Sequence, residues 1–377
     1  MTAGPVYLSP PDLGPVEEAY LLAAFRARQV GPFGPDITAL EDATAERVGI
    51  RAALATSSGT AALHLAMLGL GVGPGQVVIV PTLTFAATAN AVAYTGARPV
   101  FVDCDEETGN LDVPLLAALL ARLRAAGRPI GAVMSVDLFG TCADYTSLLP
   151  VCAAAGVPVI EDAAESLGAT HRGRPAGSFG HAAVLSFQHN KIMTTSSGGM
   201  LLSDDEAFVA RCRYLAAQAR QPVIHYEHTE IGYNYRPSNL LAAIGRGQLH
   251  RLDGMLARRR LLRERYAKLF ATVPGVRLLG DDDGGGNCWM STLVVDPARA
   301  GWQAADLGAA LALDEIETRP VFKPMHLQPV YADAPASVTG VAERLFDTGL
   351  ILPSGSALDE RQIDRVCGAV ERFLDHR

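Results

Sequence analysis

The sequence predicts an α/β fold, with a mostly parallel sheet between helices and a smaller α/β unit at the C-terminal end. Short apolar runs recur at 52–55, 77–80, 99–102, 132–136, 157–160 and 182–185. Each is apolar throughout, Ser135 excepted, as strands buried on both faces are. Helical patterns near 112–126 and 144–155 separate successive runs, and strands alternating with helices build a parallel sheet covered on both sides. With 377 residues, 49% apolar and 19% charged, the chain can bury a sizeable core. The expected division is a large domain over 1–250 and a small one over 251–377, the composition shifting after Val273-Pro-Gly275.

Two amphipathic helices open the chain, at 12–28 and near 36–47, with Gly31-Pro-Phe-Gly-Pro35 breaking the chain between them. The run 52–55 leads into Thr56-Ser-Ser-Gly-Thr60 and a helix from 61 to about 70. Such a strand–loop–helix is a phosphate cradle: Gly59 lets the backbone come close, Ser58 and Thr60 offer hydroxyls, and the new helix presents unpaired N–H groups. Taken alone, such a turn is more often just an N-cap. It matches neither the Walker pattern nor a dinucleotide GxGxxG, which disfavours an NAD-type oxidoreductase.

The second run ends at Pro81-Thr-Leu-Thr-Phe85. Functional loops of such sheets gather at the carboxyl ends of the strands, where Phe85, Asp137 and Asp162 all fall. The run 157–160 leads into Glu161-Asp-Ala-Ala-Glu-Ser166, and the run 182–185 into Ser186-Phe-Gln-His-Asn-Lys191. Lys191 is the only Lys or Arg between Arg174 and Arg211. A lysine in a partly dry loop becomes a nucleophile towards carbonyls. An aspartate at a strand end and a later lysine are what a pyridoxal phosphate site needs: the acid keeps a proton on the pyridine nitrogen, and the amine holds the aldehyde as a Schiff base. Glu161 is expected to be structural or solvated. Gly198-Gly199 allows close packing beneath the loop.

A helix running to about Arg220 precedes Glu230-Ile-Gly-Tyr-Asn-Tyr-Arg-Pro237. Helical pattern then extends from Ser238 to Leu252 and on to about Phe270, with Arg258-Arg-Arg260 expected on a solvated face. An exposed loop at 281–287, a strand region at 288–295 and helices near 303–312 and 359–374 complete the chain.

A net charge of −8 without a basic block argues against nucleic acid. The six cysteines include no CxxC pair, so no metal site is expected and the thiols read as small buried hydrophobes in a reducing compartment. With neither a secretory signal nor a membrane-length apolar run, the expectation is a soluble, cytoplasmic protein.

"EDAAESLGAT", "SFQHNKIMTTSSGGMLLS" and "EIGYNYRPSNLLAAIGRGQL" together resemble the DegT/DnrJ/EryC/StrS family of pyridoxal phosphate-dependent aminotransferases, most of which act on keto-sugars linked to nucleotides. The resemblance runs from "YLSPPDLG" near residue 7 to "LILPSGSAL" near residue 350. It implies the aspartate-aminotransferase-like fold (type I), with Lys191 and Asp162 catalytic and Ser58, Gly59, Thr60 and Ser186 around the phosphate. It makes Phe85 the residue stacked on the ring and places Glu165 beside the ring oxygen. Glu165 departs from the glutamine most members carry, and needs a proton or a cation to sit there. Asn234 reaches a partner subunit's phosphate, implying a homodimer with shared active sites. Arg236, and Arg319, Lys323 and His326 of "ETRPVFKPMHLQPVY", become candidates for holding substrate acid groups or phosphates; His189 is a further candidate for proton transfer. The glycine-rich turn near 31–35 is expected at the site's mouth. The implied reaction moves an amino group from an amino acid, glutamate being the expected donor, to a 4-keto- or 3-keto-6-deoxysugar on a nucleotide diphosphate. A keto-cyclitol aminotransferase and a catalytically silent member are the alternatives. The family's dehydratases carry histidine in place of the lysine, and this chain keeps Lys191.

Overall fold

The computed structural model describes residues 4–280 and 285–376; of the loop expected at 281–287, residues 281–284 lie outside that description. Helices α1 (Pro15–Arg26) and α2 (Pro35–Val48) both begin with proline, whose missing N–H is no loss in a first turn. Strands and helices then alternate: β1 (Ala52–Thr56), α3 (Gly59–Gly69), β2 (Val77–Pro81), α4 (Ala86–Tyr94), β3 (Arg98–Val102), α5 (Val113–Ala125), β4 (Ile130–Val136), α6 (Tyr145–Ala155) and β5 (Val159–Asp162). A hairpin of β6 (Thr170–His171) and β7 (Arg174–Pro175) precedes β8 (Ala182–Ser186), β9 (Gly199–Ser203), α7 (Glu206–Ala216) and the 32-residue α8 (Asn239–Phe270). The remainder is β10 (Val276–Leu278), β11 (Ser291–Val295), α9 (Pro297–Ala300), α10 (Ala304–Leu313), β12 (Arg319–Pro320), β13 (Ala336–Ser337), α11 (Val341–Thr348), β14 (Gly349–Leu352) and α12 (Glu360–Asp375).

The large sheet has the order β1-β9-β8-β5-β4-β2-β3-β13, and β9 alone runs against the others. Successive side chains of a strand point to opposite faces. On β2, Val78 and Val80 enter a core with residues of α3, α4 and α7, while Val77 and Ile79 enter one with residues of α5 and α6. This two-sided burial is why the runs are continuously apolar. The small sheet, β10-β11-β14-β12, is wholly antiparallel and shares a separate core with α10 and α12. The expected boundary at 250 falls inside α8, which passes unbroken towards the small sheet. Strand β13 also returns to pair with β3, and Val6 bridges Ile316, so the units are stitched at several points.

Two readings need correction. Helix α4 carried no periodic signal in its alanine-rich sequence, and was not expected. The solvated face expected for Arg258–Arg260 fails at Arg259, which is 2% exposed. It lies on the same stripe of α8 as Leu252, Met255, Leu262, Tyr266 and Phe270, all buried. Its guanidinium donates to the carbonyls of Trp289 (2.9 Å) and Ser354 (2.8 Å) and to Ser9 Oγ (3.0 Å). Burial lowers its pKa to about 10, so it stays charged at neutral pH. None of the six cysteines is in a disulfide, and four of them are buried. Among the described residues no helix is long and apolar enough to cross a membrane.

Candidate active site

The carboxyl ends of β2, β4, β5 and β8 open on one cavity of about 1050 Å³. Asp162, the last residue of β5, reaches it while remaining 4% exposed. Its Oδ2 accepts from Thr88 Oγ1 (2.8 Å), itself 2.8 Å from Thr84 Oγ1, and its Oδ1 accepts from the Ala164 N–H (3.2 Å). Burial pushes the carboxyl up to about 6; the Thr88 hydrogen bond opposes this and the Glu165 charge adds to it. A buried acid with such a balance is ready for a cationic partner.

Lys191 sits in the loop between β8 and β9. Its Nζ lies 3.3 Å from Glu165 Oε1 and 3.9 Å from the centroid of the Trp289 ring. The cation that Glu165 needed is thus the lysine itself. Glu165 Oε2 accepts from the Phe139 N–H (2.8 Å). Burial raises the Glu165 pKa and the Lys191 charge opposes the rise. Phe139 presents that N–H from a left-handed conformation (φ 51°), followed by Gly140 at φ 94°. A Cβ on Gly140 would meet Asn287 Oδ1 at 1.9 Å, so only glycine can make this turn.

The anion cradle is built at the start of α3. Ser58 caps the helix, its Oγ accepting from the Ala61 N–H (3.0 Å); the cap reading and the cradle reading describe the same turn. The first-turn N–H groups of Gly59 and Thr60 belong to the helix's positive end, which borders the cavity. Ser186 closes the cradle from the end of β8. A Cβ on Gly59 would come within 2.9 Å of Ser186 Cβ, and one on Gly199 within 2.6 Å of the Gly59 nitrogen. The two glycines let loop and strand meet there.

A cradle only glycine permits, a buried carboxylate with no cation of its own and an amine facing the same cavity together fit pyridoxal phosphate. Ser58, Gly59, Thr60 and Ser186 would hold the phosphate, Asp162 the ring nitrogen and Lys191 the aldehyde. Phe85, 59% exposed, lines the cavity, as do Arg319 and Lys323. Arg319 is paired with Glu317 (2.9 Å). His189 is exposed and also lines the cavity.

Three predicted residues are not brought to this cavity. Arg236 donates to Glu41 Oε1 (2.8 Å) and the Ala55 carbonyl (2.9 Å), tying its segment to α2 and β1. His326 is spanned between Thr82 Oγ1 (2.7 Å) and Glu343 Oε1 (2.9 Å). Asn234 is exposed outside the cavity of its own chain. The 31–35 turn also lies elsewhere, Gly34 packing against Asn239, whose Oδ1 accepts from the Asp36 N–H at the start of α2. Conversely, Thr88, Phe139, Phe322 and Trp289 all line the cavity, and none of them was expected there. Trp289 had only its rarity to mark it, as one of two tryptophans.

The profile of the DegT/DnrJ/EryC1/StrS aminotransferase family matches residues 11–371. EpsN of Bacillus subtilis (strain 168), a proposed pyridoxal phosphate-dependent aminotransferase, is 43% identical over 96% of this chain and 94% of its own. GDP-perosamine synthase of Caulobacter vibrioides is 38% identical over 98% of both chains. The crystal structure of the aminotransferase TlmJ from Streptoalloteichus hindustanus superposes with a TM-score of 0.90 at 30% identity, covering 98% of this chain and 99% of that one. The chain belongs to the DegT/DnrJ/EryC1/StrS aminotransferase family.

Proposed function

We propose that this pyridoxal phosphate-dependent aminotransferase moves an amino group from an amino acid, with glutamate as donor, to a keto-sugar carried on a nucleotide diphosphate. The observation that carries the reading is Asp162 and Lys191 facing one cavity beside an anion cradle. When bound, pyridoxal phosphate supplies an aldehyde for amine exchange and a ring that takes up the electron pair left as the α-proton departs.

The chain's own residues do the rest. Asp162, held in place by Thr88 and Ala164, keeps the ring nitrogen protonated. Lys191 Nζ takes the proton from the donor's Cα and returns one on the other side of the exchange. Glu165, 3.3 Å away, pairs with that amine whenever it is not bonded to the cofactor. Ser58, Gly59, Thr60 and Ser186 anchor the phosphate, and Phe85 offers a ring face. The cationic Arg319 and Lys323 on the cavity wall suit a diphosphate, and the name GDP-perosamine synthase, borne by a relative aligned over nearly all of both chains, points to the nucleotide-sugar class.

A homodimer belongs to this reading. Asn234 faces outward, and its strand-like segment bridges Ala217. Nearby in sequence, Ile224, Tyr226 and Ile231 are 80% or more exposed, and Phe33, on the turn bonded to the start of α8, is 88% exposed. An apolar surface of this kind suits a second copy, to whose site Asn234 would be supplied.

Lys191→Ala is expected to abolish transamination while leaving the protein folded; turnover at the normal rate would overturn the assignment. Amination of a 4-keto- or 3-keto-6-deoxysugar nucleotide, with no turnover of a keto-inositol, is the expected substrate result. The reverse preference would move the substrate to the cyclitol class.

A further inference from the structure

Segments far apart in sequence meet on the peptide carbonyl immediately before Lys191. The oxygen of Asn190 accepts from the Trp289 indole Nε1 (2.8 Å) and from Ser9 Oγ (2.9 Å). Ser9 in turn accepts from the buried guanidinium of Arg259, which also holds the carbonyl of Trp289. The Trp289 N–H donates to Asn287 Oδ1 (2.8 Å), and the Asn287 amide donates to the carbonyls of Glu165 (2.8 Å) and Leu167 (3.0 Å). Trp289 is therefore tied at its N–H, its carbonyl and its indole nitrogen. Its ring is 3% exposed and packs beside Phe139 at an interplanar angle of 29°. Lys191 Nζ lies over that ring.

We propose that Trp289 is the positioning residue for Lys191. Its indole N–H, seconded by Ser9 and backed by Arg259, fixes the main chain from which the lysine projects, and its ring face is the surface along which the ammonium lies. The inference rests on Lys191 being the residue that bonds the cofactor. A lysine side chain has several free torsions, so fixing its root and one flank removes much of the disorder that would spoil its approach. The ring face also attracts the ammonium without using any of its N–H groups, which stay available to Glu165, and the amine that bonds the aldehyde is the one left when this ammonium gives up a proton. Through this tie the N-terminal segment and the small unit both bear on the reactive amine, although neither carries it.

The test uses the full-length protein, stripped of cofactor with hydroxylamine and mixed with pyridoxal phosphate. The amine nitrogen bonds the aldehyde carbon while the aldehyde oxygen leaves as water, and visible absorbance follows the bond. Trp289→Phe keeps an aromatic face, though a smaller one, and loses the N–H; it is expected to slow bond formation roughly five- to tenfold, as the loss of one hydrogen bond in a buried site does. Ser9→Ala, the milder change, is expected to slow it in the same sense. In a Lys191→Ala background, Trp289→Phe, which still gives the cavity an aromatic wall, should change the affinity for pyridoxal phosphate by less than it slows bond formation when Lys191 is present. Capture at the wild-type rate by both variants, or an equal loss of affinity in the Lys191→Ala background, would overturn the proposal. Failure of the wild-type protein itself to form the bond would instead overturn the assignment of Lys191, and this inference with it.

Discussion

Glu161 and Asp162 are consecutive on β5 and both are buried, yet they serve opposite sides of the strand. Glu161 looks into the packed layer between sheet and helices. Its two oxygens accept from the N–H groups of Gly177 (2.6 Å) and Phe179 (2.7 Å), and it hydrogen-bonds to Asp137. Asp137 is in turn held by the Ala143 N–H, the Tyr145 hydroxyl and the Ser166 hydroxyl. Burial raises both pKa values, and the Asp137 charge adds to the rise at Glu161. Asp162 has two hydrogen bonds and an open side. Burial makes neither acid a site residue. What separates them is that one acid is satisfied by the fold and the other is left for a ligand to satisfy.

That contrast can be broken by experiment. Asp162→Asn removes the charge proposed to face the ring nitrogen, and kcat should fall by about 10²–10³-fold while the cofactor still bonds Lys191. Glu161→Ala should act on the other axis. It strands two buried N–H groups and takes away Asp137's partner, so unfolding by denaturant should show a loss of about 4 kcal/mol, with kcat of the folded fraction little changed. A stable Glu161→Ala enzyme as inactive as Asp162→Asn would erase the distinction.

A smaller effect sharpens it. In cofactor-free protein the Asp162 pKa is raised from 3.8 to about 6. Folded protein then binds more protons than unfolded protein between those values, so this group's contribution falls as pH rises from about 4 to 6. Asp162→Asn should therefore stabilise the cofactor-free protein at pH 7 by up to about 3 kcal/mol, a gain that vanishes below about pH 4. Thermal melts across that range check the sign. A gain present at low pH and absent at pH 7 would contradict it.

Local patterns in the sequence brought one half of the candidate site together before the fold did. Asp162, Lys191 and the Ser58–Thr60 turn each follow an apolar strand at a distance the backbone enforces, so position along the chain predicts position in space. Strand ends and most helix limits were readable for the same reason. The other half comes from distant segments. Trp289 and Asn287 arrive from the small unit and Ser9 from the N-terminal segment, and no spacing near Lys191 announces them. Arg236 and His326 stand in segments close to the site, but each side chain turns away to a nearer partner, Glu41 for one and Thr82 with Glu343 for the other. Sequence places a residue on a segment; packing decides where the side chain points. Arg259 was readable in principle, since it keeps step with the apolar stripe of α8, and three adjacent arginines obscured that spacing.

Borohydride reduction of the purified protein, followed by peptide mass analysis, tests the central claim most directly. One reduced pyridoxyl group is expected, on the peptide containing Lys191, and none in Lys191→Ala. A pyridoxyl group on another lysine, or its complete absence from protein saturated with pyridoxal phosphate, would contradict it.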